Sequence, residues 1–194
     1  MTKGHSMATK KTYELNLNIV TDENRHVANL LAYDAIEKLA TSIQNSKRIF
    51  FAGAGRTGLA LKMAAMRFMH LGYEVYVMGE TVTPAILEED LLIVGSGSGT
   101  TSTLVTAGKK AKSQHATLAV LTADSQSTLA QLADQSVLIP AAIKTDFGVS
   151  ASQQYAGSLF EQSILLLFDA IFMTLWQESG LSKEDLWPKH ANLE

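Results

Sequence analysis

The chain contains no cysteine among its 194 residues. That absence removes disulfides, thiolate nucleophiles and cysteine-held metals together, and it suits a reducing cytoplasm. Histidine is sparse and scattered, at positions 5, 26, 70, 115 and 190 with no His-x-x-x-His pair, so no zinc site is expected. Nor is there a surplus of positive charge. Sixteen Lys and Arg against 19 Asp and Glu give a formal net charge of -3, which argues against a nucleic-acid partner. The longest greasy run, Ile164 to Trp176, is broken by Asp169 and Thr174. It falls short of the ~20 residues that a membrane-spanning helix requires, so a soluble protein is expected. The start, "MTKGHSMATKK", is polar and basic and has no apolar core, so no signal peptide is expected. Residues 1–20 read as a disordered or cloning-derived segment.

What is present is enough for one domain with a sizeable core. Val27, Leu30, Leu31, Ala35, Ile36, Leu39 and Ile43 fall at helical spacing and predict one helix over 22–45. Short apolar strands follow at 48–52, 74–78, 91–94, 117–122 and 136–139. Helical stretches at 58–71, 101–114 and 125–133 alternate with them. That alternation predicts an α/β fold, a parallel sheet covered on both faces. Met63, Met66, Phe68 and Met69, at helical spacing, are expected in the core. After Pro140 periodicity lapses through "AAIKTDFGVSASQQYAG", a long loop of the kind that often carries function. A helix over 158–178, ended by Gly180, is apolar nearly all round, more than one sheet face can bury. Part of it is therefore expected at a subunit interface. Pro188 is expected to stop helical structure and to aim the last residues outward. The single domain spans 21–194, tail included.

Two glycine-rich turns follow buried strands. "GAGRTG", residues 53–58, matches G-x-G-x-x-G between a strand and a helix, the dinucleotide fingerprint's context. Glu80 is the available ribose-binding acid, but it lies beyond the usual spacing of ~20 residues. A tight strand-to-helix turn that merely needs glycine is the alternative. "GSGSGTTS", residues 95–102, ends another strand where a helix begins. Backbone N–H groups there, with the hydroxyls of Ser96, Ser98 and Thr101, form an uncharged nest for a phosphate. A Ser/Thr-rich helix cap is the plainer alternative. A dinucleotide fold has no need of a second nest, whereas a phosphorylated small molecule lying across both turns explains both.

Ser-x-Ser-x-x-Thr after a buried strand resembles the phosphosugar-binding signature of sugar isomerase (SIS) domains. More narrowly, "GAGRTGLALKMAAMRFMHLGYEVYVMGETVTPAI", "LLIVGSGSGTTST", "GSLFEQSILLLFDAIF" and the terminal "KHANLE" resemble the 6-phospho-3-hexuloisomerase family, in order, from residue 36 to 194. Two stretches depart from the family pattern: "SQQYAGSLFEQ" lacks the usual proline, and Lys189 stands where Arg is commoner. The resemblance implies a flavodoxin-like three-layer sandwich with a five-stranded parallel sheet, assembled as a homo-oligomer, a tetramer. It implies an isomerase converting 3-hexulose 6-phosphate to fructose 6-phosphate through an enediol, with neither redox cofactor nor metal. A functional link to a hexulose-phosphate synthase, in formaldehyde assimilation by the ribulose monophosphate pathway, follows from the same resemblance. Another SIS phosphosugar isomerase, such as one acting on an arabinose phosphate, and a non-catalytic phosphosugar sensor are the alternatives.

Such a reaction needs a carboxylate or imidazole near the phosphate nest. Glu161, in the first turn of the long helix, is the candidate base. Ser158-x-x-Glu161 also fits a capping box, in which Glu161 would serve only the helix end. The resemblance adds His190 as an acid/base partner and favours Glu161 as the base. Gly55, Arg56, Thr57, Ser96, Gly97, Ser98, Thr101 and Glu80 complete the expected substrate contacts. Arg56 and Glu80 have plain alternatives, a salt bridge and a solvated strand-end acid.

Overall fold

The structure, a computed structural model, describes residues 9–143 and 152–193. Residues 144–151 of the loop expected after Pro140, with any contacts assigned to them, lie outside these. Five parallel strands form one sheet: β1 Ile49–Gly53, β2 Val75–Val77, β3 Leu91–Gly95, β4 Thr117–Thr122 and β5 Gln135–Leu138, in the order β2-β1-β3-β4-β5. The helices are α1 Lys10–Leu30, α2 Tyr33–Asn45, α3 Gly55–Leu71, α4 Ser102–Ser113, α5 Thr128–Leu132, α6 Ser158–Ser179 and α7 Lys183–Leu186, with a 3-10 turn at Trp187–Lys189. This is the expected three-layer arrangement.

Strand residues alternate between two cores. Ile49, Phe51, Leu91, Ile93, Leu121 and Val137 face α2, α3 and α6. Phe50, Ala52, Leu92, Val94, Leu118 and Val120 face α4 and α5. Phe51, Phe68 and Phe168 join sheet, α3 and α6 with ring centroids 5.6–6.1 Å apart. Each such pair contributes about 0.5–1.5 kcal/mol beyond its buried area. Helix α6 reaches 22 residues, long and apolar enough to cross a membrane, so the length argument above does not hold. Burial does the deciding. Leu159, Phe160, Ile164, Phe168 and Ile171 lie in the first core, which makes α6 the domain's central helix.

Three expectations are corrected here. Residues 10–20, read as disordered, are the first half of α1, with the Thr9 side chain accepting from the Thr12 N–H. The single helix over 22–45 is two helices, split where Leu31 and Ala32 turn extended. Met63, Met66 and Met69 are not core: they are exposed, on the flank of α3 away from the sheet, while Phe68 is buried.

Candidate active site

Strand β2 lies on one flank of β1 and β3 on the other, so the turns leaving β1 and β3 diverge. In open α/β sheets a crevice forms where strand order reverses in this way. Both glycine-rich turns meet there, around a cleft of about 460 Å³. Ala54 and Thr57 wall it from the first turn, Ser96, Gly97, Ser98 and Thr101 from the second, and Phe160 and Glu161 from α6.

The second turn is tightly organised. Ser96 Oγ accepts the Gly99 N–H at 3.2 Å and lies 3.3 Å from Thr101 Oγ1. Gly99 has φ +60°, and a Cβ on it would stand 2.0 Å from Ser127 Oγ, so only glycine lets this loop close on α5. The Gly97 carbonyl accepts from the Ala123 N–H at 3.0 Å and from Thr122 Oγ1 at 3.1 Å. Because the peptide is trans, the Ser98 N–H must point the other way, away from β4. Thr101 occupies the N-cap of α4, yet no side chain among the described residues caps it. The first-turn N–H groups, with the positive end of the helix dipole, remain open to an anion.

Glu161 is 8% exposed and lines the cleft. Its Oε2 accepts from Arg56 Nε at 2.9 Å, while Arg56 itself stands largely in solvent. The capping-box alternative is not what forms. Gly157 takes the N-cap, Ser158 lies inside the helix, and no side chain among the described residues caps α6. Glu161 is thereby free to turn towards Arg56 instead of its own helix end. A capping box does form one helix later, between Ser182 and Asp185.

Not every expected residue comes together. Gly55 opens α3 at the cleft's edge without lining it. Glu80 is paired with Lys62 of α3, half exposed and outside the cleft lining, because β2 ends at Val77 and the chain turns away. His190 is farther still. Its ring stacks on His70 at 4.1 Å and lies 5.0 Å from Trp187. His70 is 14 residues after Arg56, about 21 Å along α3, so His190 sits at the opposite end of its own chain from Glu161. The tail is not aimed outward as expected: Pro188 is accommodated in the 3-10 turn, and His190 folds back on α3. Burial, followed by the neighbouring His190 and Arg67, holds the His70 imidazole below its ordinary pKa. Its Nδ1 is buried without a partner among the described residues.

Asp124, at the end of β4, and Phe160 also line the cleft and are absent from the sequence-based site. The signal for Asp124 is topological, since it lies in the next loop along the same carboxyl edge of the sheet. Phe160 looks in sequence like any other apolar residue of α6 and offers no such signal.

Comparison with known proteins gives the chain its family. A model of the SIS domain matches residues 42–166. A 3-hexulose-6-phosphate isomerase of Mycobacterium gastri is 50% identical over 179 residues, covering 92% of this chain and 90% of the relative. One of Bacillus subtilis is 40% identical over 176 residues, covering 90% and 95%. The crystal structure of a Methanococcus jannaschii protein, for which a 3-hexulose-6-phosphate isomerase function has been inferred, superposes with a TM-score of 0.80 at 28% identity. That alignment covers 92% of this chain and 99% of the other.

Proposed function

Because the chain belongs to the SIS-domain family, and within it groups with the 3-hexulose-6-phosphate isomerases, we propose that its cleft interconverts 3-hexulose 6-phosphate and fructose 6-phosphate. The observation that carries the mechanism is the Glu161 carboxylate, nearly buried, facing an uncapped helix start across the cleft. The phosphate binds at the Ser96–Thr101 turn, where backbone N–H groups and hydroxyls supply donors without a lysine. Anchored there, the sugar chain extends towards Glu161.

Glu161 takes the proton from C2, beside the C3 carbonyl; the C–H electron pair forms the C2–C3 double bond while the carbonyl π pair moves to O3, which takes a proton to give the enediol. Returning that proton to C3 while the O2 proton leaves gives the C2 ketone. Atoms and electrons balance within the substrate, so the chemistry consumes no redox equivalent. Arg56, outside the cleft lining, fixes the carboxylate's orientation through its Nε, and its remaining donors are the ones we assign to sugar hydroxyls. His190 handles oxygen protons from a neighbouring chain of a homo-oligomer, a tetramer. The enzyme works in the cytoplasm beside a hexulose-phosphate synthase that supplies its substrate.

The test is a coupled assay with ribulose 5-phosphate, formaldehyde and such a synthase, reading fructose 6-phosphate. Glu161→Gln keeps shape and hydrogen bonding but not basicity, so turnover falls about a hundredfold or more with little change in thermal stability. A variant that turns over normally removes Glu161 from the mechanism, and a wild-type protein silent in this assay removes the function.

A further inference from the structure

One polar network in this chain reaches the cleft wall from a helix that contributes nothing to its lining. Glu23 lies on α1, some 130 residues before the segment it holds. Its carboxylate accepts from Ser152 Oγ at 2.7 Å, from the Gln153 N–H at 2.7 Å and from Gln154 Nε2 at 2.9 Å. Gln154 Oε1 in turn accepts from Gln162 Nε2 at 2.8 Å, and Gln162 Oε1 accepts from Asn24 Nδ2 at 2.7 Å. The ring closes on α1, because Asn24 follows Glu23.

The direction of every bond in this ring is dictated by Glu23. A carboxylate only accepts, so Gln154 must present its NH2 there and its oxygen to Gln162. Gln162 must then donate to Gln154 and accept from Asn24. What the ring holds is functional by position. The clamped residues 152–154 lead within three residues to Gly157, which lines the cleft and starts α6. Ala156 between them carries φ +53°, a left-handed backbone that a non-glycine residue adopts only when its surroundings impose it. Gln162, the other end of the ring, is the neighbour of Glu161.

We propose that Glu23 is a positioning residue for the isomerisation: through Gln154 and Gln162 it fixes the start of α6, and with it the Glu161 carboxylate, against the bound sugar. This rests on the function proposed above. Burial pushes the Glu23 carboxyl up, but the bonds from Gln153, Gln154 and Ser152 outweigh it and hold the group below its ordinary pKa. The clamp is therefore charged at neutral pH. It touches neither the Ser96–Thr101 turn nor the reacting carbons, so its loss has a distinctive signature.

Glu23→Gln keeps the shape but removes the charge and puts an NH2 where one of three donors needs an acceptor, so the clamp on residues 152–154 loses at least one bond. The expected result is a fall in kcat of about tenfold to a hundredfold, the scale of a misplacement near one ångström. Competitive inhibition by inorganic phosphate, which reads the untouched turn, stays at the wild-type value. Gln154→Met, which removes both the bond to Glu23 and the bond from Gln162 but leaves Glu23 its bonds to Ser152 and Gln153, gives a smaller fall in the same direction. Combined with Glu23→Gln it adds little, because the two act through one ring. An unchanged kcat per folded molecule in Glu23→Gln, whatever happens to the melting temperature, overturns the proposal. A phosphate inhibition constant that weakens in step with kcat overturns it as well, since the effect is then general. Wild-type turnover in the same coupled assay keeps this outcome separate from a failure of the proposed function.

Discussion

Folding does not require Gly97 to be glycine, whereas the proposed ligand site does. A Cβ placed on it meets the Phe160 ring at 3.5 Å and Ile143 at 3.8 Å, ordinary contact distances within the cleft. Its neighbour Gly99 is different, since any side chain there collides with Ser127. Gly97→Ala is therefore expected to fold with a melting temperature within a degree or two of wild type, the small shift of a change that strains nothing. The added methyl occupies space the phosphosugar needs, so KM for the hexulose phosphate rises. Thermal unfolding and steady-state kinetics on one preparation check both halves. A large stability loss would mean that the turn is closed before any ligand arrives. Glu161 teaches the complementary lesson at the same scale. Its sequence context fitted a capping box, and only the placement of Gly157 as N-cap shows the carboxylate aimed at Arg56.

At the scale of elements, the sheet was legible because its central strands β1, β3 and β4 are short, largely apolar runs buried on both faces, while the edge strands β2 and β5 are only partly buried. β3 and β4 were located within a residue of their ends, and Gly180 ends α6 in the left-handed conformation expected of it. The split between α1 and α2 was not legible, since neither proline nor glycine marks Leu31 and Ala32 and the apolar spacing runs through. The turn after β1 was legible as glycine-rich but ambiguous in purpose. Packing resolves part of that ambiguity. A Cβ on Gly58 would lie 2.6 Å from the Gly53 carbonyl oxygen, so the last glycine of "GAGRTG" lets α3 sit against β1 and needs no nucleotide to explain it. Gly58→Ala must push α3 off the sheet edge, an overpacking worth about 1–3 kcal/mol. Chemical denaturation is expected to show that loss in the midpoint. A midpoint at the wild-type value would mean that α3 has slack where the structure shows none.

The whole molecule raises the question that neither residues nor elements answer, which is how His190, about 21 Å along its own α3 from the cleft, could serve the site proposed for it. The exposed apolar residues point to a second copy of the chain. Leu59, Met63, Met66 and Met69 follow one another, exposed, along the outer flank of α3. Such a stripe complements itself: two copies of α3 packed antiparallel, about a two-fold axis between Met63 and Met66, cover it from end to end. That arrangement lays the carboxyl end of one α3, with His70 and the stacked His190, beside the first turn of the other, where Arg56 and Glu161 stand. The tail's return onto its own helix, unforeseen in the sequence, would then present His190 to the neighbour's cleft. Glu161→Gln and His190→Ala, each inactive alone, are expected to regain activity when mixed under conditions that exchange subunits. Each mixed pair contains one site with both native groups, so recovery approaches a quarter of wild-type activity in a random mixture of dimeric units. Native mass spectrometry of the same sample confirms exchange. Mixed oligomers that form and stay inactive would show that His190 serves no neighbouring site.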